Sequence, residues 1–353
     1  MKIKLAILEK DQGYLNRIST VFSTKYADKI ELYSFTDADV ALSVLDTARI
    51  DVLLVSETFD INANAIPKRC GVAYFVDAPD VDSIGEHRAI CKFQKVDLIY
   101  KQILSIYSEN AVNVSGLKFG DDDCKVIVFL PVSGGVGSSS MAAACATYFA
   151  SKGKKTLYLN FERFCGSDVF FEADGQFDMS DIIFALKSKK TNIAMKLESC
   201  VKQASNGVFF YSQSKIALDM LELNTEDIQR LVSEIQFAGS YDYVVVDAEL
   251  SFNKDWLNIY RKAHTIVWVG DGSEISNTKL FRAYNALNTL EQKAEAPLTN
   301  RLALIYNKFS NKTSTTLSEI GIKNIGGAPR YEHASTEQVV KQLAAMEMFE
   351  KLM

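Results

Sequence analysis

No apolar stretch in this chain approaches the length that a bilayer requires, so an integral membrane segment is not expected. The opening LAIL is far too short for the apolar core of a signal peptide, and none is expected. The six cysteines, at 70, 91, 124, 145, 165 and 200, show neither a CxxC nor any paired metal spacing. A zinc module is thereby excluded; several cysteines lie within apolar stretches, so reduced, partly buried thiols in the cytoplasm are expected. Positive charge is not in excess either. Thirty-nine Lys and Arg against 44 Asp and Glu leave a net charge of −5, which argues against a nucleic-acid partner. Short basic clusters such as Lys152/Lys154/Lys155 and Lys187/Lys189/Lys190 read as solvated helix ends. Low-complexity tracts and repeats at solenoid spacing are also missing. What remains is ordinary globular material: 353 residues, 48% apolar and 24% charged, enough for two cores.

The most informative stretch is KVIVFLPVSGGVGSSS, from Lys125 to Ser140. Val126 to Leu130 has the length and β-branched content of a buried strand. It breaks into Ser133, Gly134, Gly135, Val136, Gly137, Ser138, Ser139 and Ser140, then passes into MAAACATYFASKG, a helix ending near Gly153. A tight turn that merely needs glycine would fit. Three glycines in four positions, followed by three hydroxyls directly after a strand, fit a phosphate loop better. The glycines let backbone N–H groups face an anion, and the helix N-terminus adds partial positive charge.

Upstream, strand-like runs at Ile3–Leu8, Ile30–Phe35, Asp51–Val55, Val72–Val76 and Val96–Tyr100 alternate with helical patterns such as Tyr14–Tyr26 and Asp37–Thr47. That alternation predicts an α/β unit with a parallel sheet over residues 1–110. Residues 111–124, polar and carrying two glycines and three consecutive aspartates, read as a linker. The second domain then runs over 125–353. Its strand Thr156–Phe161 ends at Asn160 and Glu162, and residues 175–240 are mostly helical by period, interrupted by a strand at Gly207–Tyr211. YDYVVVD closes a buried strand on Asp247, where a carboxylate could reach magnesium through water or simply cap the strand. Strands follow at Thr265–Val269 and Leu302–Tyr306, separated by a helix over Ile275–Gln292. In the final segment, Val339, Val340, Leu343, Met346 and Leu352 form an apolar stripe whose polar face mixes Glu337, Glu347 and Glu350 with Lys341 and Lys351. A membrane-surface helix would want a basic face, so packing on the domain is expected.

The glycine loop resembles the deviant Walker A loop of the MinD/ParA group, KGGVGK[ST][ST]. Gly134, Gly135, Val136 and Gly137 match, while Ser133 and Ser138 replace the two lysines. The resemblance implies ATP at Gly134–Ser140 and Mg²⁺ at Ser139 and Asp247. It makes Glu162 and Asp247 the catalytic candidates, although Glu162 could equally be a solvated strand-end glutamate. It sets Asn307 against the adenine edge, and the segment GGAPRYEHA adds Pro329 and Arg330 beside the base. The N-terminal alternation resembles a response-regulator receiver, a flavodoxin-like fold. Its acidic cluster is Glu9, Lys10 and Asp11; Ser56 stands at the phosphoacceptor position, Asp77 at the hydroxyl position and Lys101 at that of the lysine. A receiver fold without phosphorylation chemistry is expected. Together the two halves resemble TadZ/CpaE-type proteins of Tad/Flp pilus assembly. This implies a homodimer across the nucleotide face, contacts with the pilus secretion machinery through the receiver-like domain, and recruitment to a cell pole. With both lysines gone, at most a slow ATPase is expected. The alternative is an active MinD/ParA-like ATPase that positions flagella, chromosome or division machinery, but such a protein would keep the lysines.

Overall fold

The computed structural model describes residues 2–110, 124–164, 166–188, 192–238, 240–292 and 297–353. All of the expected linker except Cys124 lies outside these residues, as does Cys165. Contacts divide the chain into two compact units. One is Met1–Ser115 with Phe184–Cys200; the other is Gly116–Ile183 with Val201–Met353.

The first unit is built on strands β1 (Ile3–Leu8), β2 (Ile30–Phe35), β3 (Val52–Ser56), β4 (Gly71–Val76), β5 (Ser83–Ile84) and β6 (His87–Cys91). Their order is β2-β1-β3-β4-β6-β5, parallel throughout except for the β5–β6 hairpin. Without β5, this is the flavodoxin-like order. Asp11 and Asp37 start the helices Gln12–Lys25 and Ala38–Thr47 by accepting hydrogen bonds from the backbone of Tyr14 and Val40.

The strand expected at Val96–Tyr100 is instead the start of a helix, Val96–Asn110. Its apolar positions continue at helical spacing through Ile99, Tyr100, Ile103, Leu104 and Tyr107, all buried. The fifth parallel strand is β6, whose HRAIC is too polar to announce itself. The lysine that follows this strand is therefore Lys92, and Lys101 lies on the helix. Lys92 Nζ sits 2.8 Å from Glu9 Oε2 and 3.2 Å from Asp77 Oδ1. Burial works against its charge, but hydrogen bonds to those two carboxylates outweigh it and raise its pKa. Ser56 is fully buried, with its hydroxyl 3.0 Å from that of Thr58. The helix Ile193–Cys200, although far along the sequence, also belongs to this unit. It packs on Val96–Asn110 and buries Lys196, whose Nζ donates to Ser105 Oγ at 2.9 Å.

The second unit carries an eight-stranded sheet: β7 (Lys125–Pro131), β8 (Thr156–Asn160), β9 (Lys202–Gln203), β10 (Phe209–Phe210), β11 (Tyr243–Asp247), β12 (Thr265–Gly270), β13 (Leu302–Phe309) and β14 (Lys323–Pro329). The order is β14-β13-β12-β7-β11-β8-β10-β9, and every pairing is parallel except β9 with β10. Such a sheet needs helices on both faces, which explains its near-continuous apolar strands. β14 is hidden in the sequence because KNIGGAP buries only Ile325 and Ala328. Its glycines serve close approach: a Cβ on Gly327 would stand 3.0 Å from the Tyr306 carbonyl. The helix Thr336–Ala344 opens with a capping box between Ser335 and Gln338 and packs on the helix Ser138–Ser151. Val340, Leu343, Phe349 and Leu352 enter the same core, so the C-terminal apolar stripe faces its own domain. Among the described residues no helix is long and apolar enough to cross a membrane.

Candidate functional site

Strand β7 lies at the centre of the second sheet and delivers the glycine loop to the strand ends. Gly135 and Gly137 adopt left-handed backbone, with φ of 74° and 80°. Glycine at 137 is required twice over, because a Cβ there would also stand 2.5 Å from the side-chain nitrogen of Asn307. Val136 is buried and pins the loop from below. From β13, Asn307 Nδ2 donates to the Val136 carbonyl at 2.8 Å and Lys308 Nζ to the Gly135 carbonyl at 2.7 Å. Ser133 points away from the loop, its hydroxyl 3.2 Å from that of Ser276. The helix Ser138–Ser151 starts directly at Gly137 with no side-chain cap. Its first N–H groups thus face the loop's concavity, where an anion would complete them.

Among the described residues, two buried polar atoms at this junction have no hydrogen-bond partner: the Ser138 hydroxyl and Asp247 Oδ1. Asp247 ends β11, which pairs with both β7 and β8. Its Oδ2 accepts from the Tyr158 hydroxyl at 2.9 Å and from Asn160 Nδ2 at 3.2 Å. Complete burial pushes the Asp247 carboxyl up to about 8, with the charge of Glu162 adding to the shift and the hydrogen bond from Tyr158 and the nearby Ser139 hydroxyl opposing it. Burial also raises Glu162, against the hydroxyl of Ser139, while the charge of Glu249 adds to the rise. Asn160 braces this corner on two sides. Its Nδ2 supports Asp247, and its Oδ1 accepts from the backbone N–H of Glu162 at 2.7 Å.

These donors fit a magnesium ion. Ser139, Glu162 and Asp247 offer hard oxygens, and the lone Asp247 Oδ1 is a buried acceptor left for a cation. Among the described residues no group of three or more His, Cys, Asp or Glu is placed to hold a metal. The cation would therefore rely on phosphate oxygens for the rest of its shell, as Mg²⁺ at nucleotide sites does.

Of the residues expected to line the base, Asn307 has its amide nitrogen engaged by the loop. Pro329 and Arg330 lie exposed at and just beyond the end of β14. A cavity of about 360 Å³ opens here, lined by Tyr306, Phe309 and Pro329 among others. Sequence reading missed Tyr158 and Lys308, which reach the site across 89 and 173 residues.

Residues 1–108 match the family described as TadZ-like, receiver domain. Among solved structures, the second unit is similar to a ParA family ATPase from Chlorobium tepidum. That match has 20% identity and a TM-score of 0.51, and covers 65% of this chain and 96% of that one. It is also similar to MinD in the MinC:MinD cell division complex of Aquifex aeolicus, at 17% identity and a TM-score of 0.50, with the same coverages. No curated protein matches the chain. Residues 1–108 thus carry a TadZ-like receiver domain, and the second unit has the fold seen in MinD and ParA ATPases.

Proposed function

We propose that this protein is an ATP-binding positioning factor of Tad/Flp pilus assembly. Nucleotide holds it as a homodimer, it turns ATP over slowly or not at all, and it recruits secretion machinery at a cell pole. The observation that carries the nucleotide reading is the pair of buried, unpartnered oxygens, Ser138 Oγ and Asp247 Oδ1, beside a glycine loop that opens a helix. Leaving such groups unpaired costs free energy that a bound ligand would recover.

The loop from Gly134 to Ser140 would hold the phosphates through backbone N–H groups. Ser139 and Asp247 would hold Mg²⁺, which supplies charge neutralisation along the polyphosphate. Glu162 would order water near the terminal phosphate. Tyr306, Phe309 and Pro329 would shelter the base, with Asn307 and Arg330 at its rim.

Serine at both lysine positions removes charge-assisted phosphate contacts worth about 1.5–3 kcal/mol each. Each such loss weakens binding by roughly ten- to hundredfold, tolerable for an abundant nucleotide. Hydrolysis suffers more, since charge builds on the transferring group. The receiver-like domain would act as a contact surface, because Ser56 is buried and Lys92 is already paired by Glu9 and Asp77. A fluorescent fusion of the full chain tests the placement. Polar foci that depend on the pilus secretion genes and vanish with Gly137→Ala are expected; a diffuse signal from the wild-type fusion would overturn the assignment.

A further inference from the structure

Both loop positions at which this class of site carries lysine hold serine, yet the loop touches a cation from elsewhere in the chain. β13 and β14 pair at Tyr306 and again at Phe309, and the register shifts between them, leaving Asn307 and Lys308 out of the ladder. A bulge of this kind re-aims side chains. Here both turn to the loop, Asn307 to the Val136 carbonyl and Lys308 to that of Gly135. Lys308 does so on left-handed backbone, φ 57°, a conformation that a long side chain keeps only where its surroundings hold it.

We propose that Lys308 supplies in space the phosphate-binding charge that the loop lacks in sequence, gripping the polyphosphate of a bound nucleoside triphosphate. This rests on the nucleotide reading above. The ammonium group has three donors, and the Gly135 carbonyl takes one. Lys308 is exposed, so its other donors meet solvent and are available to a ligand. Its Cε lies 3.5 Å from the point where a Cβ on residue 137 would stand, and its Nζ goes on to the Gly135 carbonyl, so the side chain lies against this stretch of the loop. Residue 137 directly precedes Ser138, whose buried Oγ, like Asp247 Oδ1, has no partner among the described residues, and these two atoms point independently to a ligand. A role limited to fastening the loop would duplicate Asn307, whose neutral amide does that from the adjacent position.

Titration of the full-length protein with ATP and Mg²⁺, with a thermal melt of each variant, tests this. Lys308→Met should weaken ATP binding about ten- to hundredfold. Lys308→Gly should weaken it equally while the melting temperature holds or rises, because glycine relieves the left-handed backbone. Lys312→Met, an exposed lysine four residues on, should bind like wild type. Wild-type affinity in Lys308→Met, an equal loss in Lys312→Met, or a loss in Lys308→Gly that accompanies a lower melting temperature would overturn the proposal. If the wild-type protein itself shows no saturable ATP binding, the nucleotide reading falls first.

Discussion

Asp247→Asn should stabilise the second unit, and by an amount that grows with pH. The folded carboxyl titrates near 8 against an ordinary value of 3.8. Between those values the folded state carries a proton that the unfolded state has released. Stability is therefore fully present below about pH 4 and falls as pH rises toward 8, by about 1.4 kcal/mol per pH unit. From pH 5 to pH 7 this one group removes roughly 3 kcal/mol. Asparagine has the same shape, can accept from Tyr158 and Asn160 through its oxygen, and does not titrate. Its free energy of unfolding should stay flatter across that range. Both tryptophans, Trp256 and Trp268, lie in the second unit, so their fluorescence in urea reports that unit alone. Wild-type and Asp247→Asn curves that run parallel from pH 5 to pH 8 would refute the reasoning. The same titration sets the sign for the ligand: Mg²⁺-dependent ATP binding to wild type should strengthen toward pH 8, as the cation displaces the proton, and should be lost in Asp247→Asn.

Gly137→Ala forces a Cβ against Asn307 on left-handed backbone; it should cost about 1–2 kcal/mol or more and abolish ATP binding, checked by urea melts and titration. Incubation with a small-molecule phosphodonor should leave no acid-labile phosphate adduct on residues 1–110 by mass spectrometry, since Ser56 replaces the acceptor and Lys92 is bound by Glu9 and Asp77. Phe349→Ala should destabilise the second unit by about 3–5 kcal/mol, because this side chain is fully buried in the core. Flotation with anionic lipid vesicles should leave the wild-type protein in solution, as its C-terminal stripe is occupied by its own domain.

Much of the architecture was legible because its signals are local. The run Val126–Leu130, the glycines and the hydroxyls stand side by side, and so do YVVV and Asp247. The first unit was harder at its end. Five residues from Val96 look like a strand until the period is followed to Tyr107, while the true fifth strand, around Arg88 to Cys91, is polar enough to pass unnoticed. That misreading moved the receiver lysine from Lys92 to Lys101. β14 was invisible for a different reason: its close approach to β13 demands glycines, which read as loop. The polar framework of the candidate site was the least legible. Tyr158, Asn160 and Asp247 form one hydrogen-bonded group only because parallel strands bring residues 87 and 89 positions apart into register. Nothing in the local sequence around Lys308 announces its bulge or its contact with Gly135.

The proposed working state is a nucleotide-held dimer with little turnover. Sedimentation of the full-length protein with and without ATP and Mg²⁺, with phosphate release followed in the same samples, tests it most directly. Adding ATP and Mg²⁺ should shift the protein from monomer to dimer, with phosphate release at or near background. A protein that stays monomeric at saturating ATP, or that releases phosphate briskly in a manner abolished by Asp247→Ala, would contradict it.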